Sequence, residues 1–541
     1  MQPHHRIPSI GALSCLLLVA LPPAARGDDG HDHGHEGFTH PVTTESPEAQ
    51  KLFDRGLQLA WGFNHKEAAR VFDQAVEKDP KCGMCWWGKA LVLGPNINAP
   101  LAAPDYPAIL EALAKTRELR DGVTPREQAY IDALGQRYGA EYEEERTALD
   151  KAYADAMRRV AYREPSDLTA ATLFAEALMD TSPWDYWLPN GEPKAATEEF
   201  IRVLETVLRR DAAHPGAAHL LIHAVEKARP ELGVPAAEML DRSEQATGHL
   251  VHMASHIYMR VGRWDDSARV NQRAIDDDDA YAAENEVPFE YIPYMLHNHH
   301  MRWASLGFDG RRADALAEAN YLRDNLPPAE MLTSGEMIPL QHFWAVPLFD
   351  AVWFEDFDAV LAMPEPPEGF LYGAAVWHWA RGTAQARKGD TEAAATALAA
   401  LREGLQDPAL DDVNWGNNSL RSILEIAREN LEGEIAVARG EVQKAIRNLE
   451  EAARREDALV YTEPPVWLGP TRQRIAEVQL DHGSFDDAAQ TVRANLDVYP
   501  HNGRSLAILA ECLEAQGKED DAAEIRFLLD AAWQRADIEL D

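Results

Sequence analysis

The chain has 541 residues, of which 90 are Asp or Glu and 52 are Lys or Arg, so its net charge is −38 at pH 7 with neutral histidine. This excess of negative charge repels phosphate backbones and argues against nucleic acid as a partner, whereas basic peptides and metal ions suit it. With 46% hydrophobic and 26% charged residues, the sequence can build a core and is not that of a disordered tail.

The first 27 residues have the features of a Sec-type signal peptide. A weakly basic start precedes a short apolar run from Gly11 to Leu21, and Ala25-Arg26-Gly27 offers small residues at a cleavage site. These features predict export to the periplasm or the medium. A lipoprotein signal at Cys15 and a retained anchor are alternatives, but most of the apolar run follows the cysteine and it is short for a bilayer span. No later stretch predicts a stable membrane span.

Residues 28–48 read as a leader rich in histidine, aspartate and glycine. Its composition predicts disorder, and His31, His33 and His35 form a cluster of the kind that collects metal ions weakly. The alternative is a solvated tail that selects no ion.

An internal repeat begins at residue 49. Within residues 49–82, Gly56, Ala68, Phe72, Ala75 and Pro80 are separated by 12, 4, 3 and 5 residues. Small residues let two paired helices approach closely, Phe72 fills the gap beside them, and Pro80 ends the second helix. Similar spacings recur around Gly382/Gly389/Ala394/Leu398, Gly433/Gly440/Ala445/Leu449, Ala476/Gly483/Ala488 and Ala510/Gly517/Ala522. Chance matches among alanine-rich helices are the alternative, but at least four units share the spacing.

This spacing resembles the consensus of the tetratricopeptide repeat (TPR). The resemblance implies an all-α fold, a solenoid of antiparallel helix pairs over residues 49–541, with a concave surface for a protein or peptide ligand. Three segments interrupt the pattern, near residues 94–125, 180–194 and 459–470, and long loops on such a fold tend to cover one face. With the His-rich leader, Asn64-His65 and the Gly94–Asn98 loop, the chain resembles secreted bacterial TPR proteins of no assigned activity.

A Cys-x-x-Cys pair, Cys82 and Cys85, follows the first repeat. In an exported protein a static disulfide is the simpler interpretation, and a redox pair or soft-metal site is the alternative, because a helix N-terminus stabilises a thiolate. No histidine follows Cys85, so this is not a haem-attachment motif. Cys512 is expected to be a buried small residue.

Eight histidines lie between residues 219 and 300 at helical intervals. His249 and His297 are 48 residues apart, as are His252 and His300. In the TPR family, the corresponding positions of the first helix of each pair commonly line the concave groove. The residues that this pattern predicts as metal ligands or ligand-orienting groups are His219, His223, Glu226, His249, His252, His256, His297 and His300.

Neutral imidazole is a common ligand for zinc, copper and non-haem iron, and Glu226 can complete a site or orient a ligand. The alternatives are histidines that bond one another, backbone carbonyls or an acidic peptide, and histidines packed in the core. No phosphate loop, dinucleotide fingerprint, nucleophile elbow or His-Glu-x-x-His motif is present. The sequence therefore predicts an exported TPR binding or scaffold protein with a transition-metal site in its central groove. A metal-dependent enzyme and a metal-free scaffold stay open.

Overall fold

The structure is a computed structural model that describes residues 38–243, 248–284, 287 and 291–540. The predicted signal peptide (residues 1–27) and the leader histidines His31, His33 and His35 lie outside the described residues. The chain divides into two compact units, which are described separately. Unit 1 contains residues 1–253 and 286–291, and unit 2 contains residues 254–285 and 292–541.

Unit 1 is built from helices. Their bounds are α1 (Pro47–Trp61), α2 (His65–Lys78), α3 (Gly83–Val92), α4 (Tyr106–Leu119), α5 (Pro125–Leu134), α6 (Thr147–Arg163), α7 (Leu168–Met179), α8 (Thr197–Arg210), α9 (Pro215–Val225) and α10 (Val234–Arg242). Helix α11 (His249–Arg260) begins in unit 1 and continues into unit 2 after Met253.

The small residues of the first repeat surround one aromatic ring. A Cβ built on Gly56 would lie 2.8 Å from Phe72 Cζ, and one built on Gly88 would lie 2.3 Å from Phe72 Cε1. The ring of Phe72 is fully buried and meets Phe53 edge-on at 5.6 Å between ring centroids. Helices α1, α2 and α3 can therefore approach closely because glycine occupies both positions. The repeat pattern predicts Gly56, whereas Gly88 is apparent only from the structure.

The end of the predicted leader is structured. The backbone N–H of His40 donates to Asp54, and the backbone N–H of Thr43 donates to Glu127 at 2.6 Å. The His40 side chain is buried beside Phe53 and Tyr130. The prediction of disorder is therefore wrong for residues 38–48, because these contacts hold the segment against α1 and α5.

The two predicted interruptions in unit 1 differ from each other. Residues 94–125 contain a loop closed by hydrogen bonds between Asn96 and Ala99, followed by helix α4. Residues 180–196 contain no helix and connect α7 to α8. This second segment, called here the 180–196 loop, is anchored by the buried Trp187, whose indole N–H donates to the Ala224 carbonyl at 2.9 Å.

Unit 2 continues the succession of helices. Their bounds are α12 (Trp264–Glu284), α13 (Ile292–Phe308), α14 (Arg312–Asp324), α15 (Gln341–Trp353), α16 (Phe357–Ala362), α17 (Leu371–Arg387), α18 (Thr391–Gly404), α19 (Ala409–Asp412), α20 (Leu420–Ala438), α21 (Val442–Asp457), α22 (Thr471–Asp481), α23 (Phe485–Val498), α24 (Gly503–Ala515) and α25 (Glu519–Ala532). Strands β1 (Asn414–Trp415) and β2 (Asn418–Ser419) form a short antiparallel hairpin. No helix of the described ranges combines the length and apolar character of a membrane span.

The turn between paired helices has one geometry that occurs eight times in the part of the chain that the structure describes. Each turn contains one residue with a left-handed backbone, whose N–H donates to the carbonyl three residues earlier. The N–H of the next residue donates to the carbonyl five residues before that residue. The left-handed residues are Phe63, Gly262, Gly310, Glu355, Gly389, Gly440, Gly483 and Gly517. This is the glycine-favouring C-terminal motif of helices, and a residue other than glycine there costs roughly 1–2 kcal/mol. Six of the eight positions are glycine, so Phe63 and Glu355 are the exceptions among these turns.

Candidate metal centre

Three predicted histidines converge in unit 1. His219 and His223 lie one turn apart on α9, and His249 is the first residue of α11. Each offers a ring nitrogen, and these three nitrogens lie within 4.8 Å of one another. The ring centroids are 4.8 Å apart for His219 and His223 and 5.1 Å apart for His219 and His249. The helical spacing of His219 and His223 explains the first contact, whereas the second requires α9 and α11 to meet.

The orientation of His219 is set by the end of α1. Its Nδ1 lies 2.5 Å from the carbonyl oxygen of Trp61. A carbonyl only accepts hydrogen bonds, so Nδ1 carries the proton and donates. The Nε2 lone pair is consequently the one that His219 presents to a metal ion.

The orientation of His223 is set by Glu226, which caps the end of α9. His223 Nδ1 lies 3.2 Å from Glu226 Oε1, and both side chains are buried. A carboxylate that accepts from Nδ1–H fixes the tautomer of a ligating histidine and increases the basicity of its Nε2. Glu226 therefore has the position of a group that orients a ligand, which is one of the two roles that the sequence predicts for it.

His252 lies one turn beyond His249 on α11. The two rings stack with centroids 5.5 Å apart, and His252 is fully buried. His252 therefore supports the ring of His249 from its own helix.

Two aromatic side chains cover the three imidazoles. The ring centroid of Phe63 lies 4.4 Å from that of His219 and 5.9 Å from those of both His223 and His249. Trp184, in the 180–196 loop, meets His223 edge-on at 5.0 Å. As a result, His219, His223 and His249 are only 1%, 3% and 4% exposed. They are buried under aromatic rings and do not line an open groove.

The donor set fits a first-row transition metal. Two nitrogens held at about 2.0–2.1 Å from one zinc ion are at most about 4 Å apart, so small side-chain movements suffice to bring nitrogens within 4.8 Å of one another onto one ion. Three imidazoles are also the ligand set of zinc sites that keep a fourth position for water or substrate.

Unit 2 holds the other predicted histidines. His256 Nδ1 lies 3.1 Å from Glu463 Oε2, and the rings of His256 and His297 are 5.8 Å apart. Tyr461 donates its hydroxyl to the other oxygen of Glu463. Glu463 is not among the residues predicted from the sequence, because one acidic residue in a loop carries no periodic signal, although the segment near 459–470 is predicted as a loop.

His300 lies in an aromatic pocket of unit 2 with His342, a residue that the sequence analysis also missed. The rings of His300 and His342 meet edge-on at 5.2 Å, and Trp415 lies 4.5 Å from His342. Burial lowers the pKa of His342 to about 3 and holds the pKa of His300 well below its usual value. Both imidazoles are therefore neutral. His299, beside them in sequence, contacts Glu318 and Tyr321 instead.

Cys82 and Cys85 form a disulfide at the start of α3 in the structure, and both are fully buried. The Cys82 Sγ also accepts the Cys85 backbone N–H, as a helix N-cap does. Cys512 is a buried thiol, and burial raises its pKa to about 11. The Nδ1 atom of His65 lies 3.2 Å from the side-chain nitrogen of Asn96.

Solved structures are similar to this chain only weakly. Among solved structures, human IFIT1 with PPP-AAAA is 12% identical and has a TM-score of 0.31, with 92% of this chain and 96% of that chain covered. Yeast Tom70 is 12% identical with a TM-score of 0.29, covering 90% and 99% of the two chains. The Cut9–Hcn1 assembly is 13% identical with a TM-score of 0.24, covering 91% and 97%. These weak likenesses carry no information about activity.

No curated protein sequence matches the chain. Residues 474–536, which include α23 and α24, match the family described as Tetratricopeptide repeat. The predicted all-α repeat fold is confirmed by the succession of helix pairs with a common turn. Residues 474–536 are therefore a tetratricopeptide-repeat segment, and the described helix pairs before it share its turn geometry.

Proposed function

We propose that this protein is an exported TPR binding protein that holds one transition-metal ion through His219, His223 and His249. The observation that carries the proposal is the convergence of three ring nitrogens within 4.8 Å at a buried position. The Trp61 carbonyl and Glu226 engage the Nδ1 atoms of His219 and His223, which directs their Nε2 atoms to the ion. Zinc, copper and iron all accept imidazole, and copper(II) has the highest affinity in this series.

Metal analysis of the full chain purified without a His tag tests the proposal. We expect about one ion per chain after reconstitution, by analogy with three-histidine sites. The His219→Ala, His249→Ala double variant should lose it. His482→Ala is the matched control, because His482 is exposed and contacts only its own helix through the Val478 carbonyl. If the wild-type protein retains no stoichiometric zinc, copper or iron after reconstitution and dialysis, the metal site does not exist.

Export is proposed from residues 1–27 of the sequence. A buried disulfide between Cys82 and Cys85 supports it, because such bonds persist in oxidising compartments. Fusion of residues 1–30 to a reporter that is active only outside the cytoplasm tests export. Activity that persists when the apolar run from Gly11 to Leu21 is interrupted by charged residues would contradict a Sec-type signal.

A metal-dependent enzyme is the second candidate function. Three protein ligands leave one coordination position for water or substrate, and a metal ion there lowers the pKa of bound water. Trp184 is partly buried and contacts His223, so the 180–196 loop lies next to the proposed ion. A protein or peptide ligand in the TPR groove is the remaining proposed partner.

A further inference from the structure

Phe63 occupies a turn position at which this chain favours glycine. Of the eight turns with the same pair of backbone hydrogen bonds, six have glycine at the left-handed position. Phe63 adopts it with φ of 55°. Strained backbone of this kind persists only where the surroundings hold it, and it is concentrated at functional sites. The exception therefore needs a local reason.

That reason lies in what the ring contacts. The ring of Phe63 is stacked nearly parallel to that of His223, at an interplanar angle of 6°, and is tilted by 28° from the ring plane of His249. A ligating imidazole must point its lone pair at the ion, so the plane of each ring decides whether the three nitrogens converge. An aromatic face lying along two of these rings restricts their rotation, which glycine cannot do.

A second residue repeats the pattern. Trp184 is also left-handed, with φ of 63°, and it contacts His223 from the 180–196 loop. The structure describes four residues other than glycine with positive φ, namely Phe63, Trp184, Glu355 and His501. Two of these four are aromatic residues against the same histidine cluster. Glu355 has a different role, since it is exposed and forms an ion pair with Arg387.

We infer that Phe63 is a positioning residue of the metal site, held in a left-handed turn so that its ring orients the imidazoles of His219, His223 and His249. This inference rests on the proposed function. It adds that the ring of Phe63, and not merely its apolar bulk, sets the coordination geometry and keeps bulk water from the ion.

The test compares Phe63→Gly with Glu355→Gly, which makes the change to glycine at the equivalent turn of another repeat. The probe is Co(II), because its visible absorption reports ligand geometry. We expect the wild-type and Glu355→Gly proteins to bind Co(II) with the same spectrum and with affinities within about twofold of each other. Phe63→Gly should bind at least about tenfold more weakly with an altered spectrum, as expected for loss of a group that orients ligands.

Phe63→Leu retains apolar bulk without a flat ring, and it replaces Phe63→Gly if circular dichroism shows the glycine variant unfolded. We expect Phe63→Leu to fold, with weaker Co(II) binding and an altered spectrum. A folded Phe63 variant with the wild-type affinity and spectrum would overturn the inference.

Failure of the metal-binding proposal can be distinguished from failure of the inference about Phe63. If the wild-type protein binds no Co(II), the metal proposal fails, and the reaction of the histidines with diethyl pyrocarbonate then reports on Phe63. Peptide mass spectrometry should show His223 and His249 reacting at least about tenfold faster in Phe63→Gly than in Glu355→Gly, because the ring covers both. Equal rates in the two variants would show that Phe63 does not hold these side chains.

Discussion

Glu226 Oε1 lies 3.2 Å from His223 Nδ1, and the two residues are three positions apart at the end of α9. The contact joins a buried carboxylate to a predicted metal ligand. Glu226 is also the C-cap residue of α9, and its backbone N–H donates to the Ile222 carbonyl. The same residue thus lies at the end of the helix and beside the candidate site.

We expect Glu226→Gln to weaken metal binding by about 10–100-fold, the range found for groups that orient a ligating histidine. Glutamine can still accept a hydrogen bond, but it removes the negative charge that increases the basicity of His223. Metal affinity measured by competition with a chelator checks this. Glu231→Gln, at an exposed position in the turn before α10, is the control and should leave the affinity unchanged. Equal affinities in the two variants would contradict the role of Glu226.

Gly88→Ala should lower the free energy of unfolding by about 1–3 kcal/mol, the usual cost of overpacking a core. The new methyl group would meet the ring of Phe72, which also packs closely against Gly56. Gly404→Ala makes the same change near the end of α18, where nothing lies within 4 Å of the added Cβ. Alanine there should raise stability by about 0.5–1 kcal/mol through its helix propensity. Denaturant unfolding distinguishes these opposite signs.

We expect the free energy of unfolding of unit 2 to fall as the pH rises, because the buried Asp350 must then ionise. Burial raises the pKa of Asp350 to about 7, although the Trp303 indole N–H donates to its Oδ1 at 2.9 Å. Between pH 4 and 7 the folded state therefore holds a proton that the unfolded state has released. Stability is greatest below this range and falls until the carboxyl ionises near pH 7.

Asp350→Asn tests this sign, because asparagine retains an oxygen for Trp303 and never ionises. We expect the variant to be about 2–4 kcal/mol more stable than wild type at pH 8, with the difference shrinking toward pH 4. Asp358→Asn, whose side chain is 85% exposed, should show no such trend. Thermal unfolding across pH measures both. If the difference in stability between the variant and the wild type is constant with pH, the pKa of Asp350 is the same in the folded and unfolded states.

The sequence by itself determined the repeat and its helices, because these depend on contacts between neighbours along the chain. The spacing of Gly56, Phe72 and Pro80 corresponds to the packing of α1 against α2 and to the end of α2. Likewise, a four-residue interval is enough to bring His219 and His223 onto one face of a helix. The turns can be predicted from their glycines for the same reason, because the left-handed conformation depends only on the residue at the turn and its neighbours in sequence.

Only the tertiary structure decided which histidines meet and what surrounds them. His219 contacts the carbonyl of Trp61, 158 residues earlier in the chain, and His256 contacts Glu463, which lies in a loop far along it. The aromatic residues that cover the cluster are Phe63, in the turn after α1, and Trp184, in the 180–196 loop. The hydrophobic periodicity of the sequence does not predict where this turn and this loop lie. Helical periodicity states which side of its own helix a residue faces. Which residue each histidine contacts depends on how distant helices and loops pack, and the spacing of residues within one helix does not contain this information.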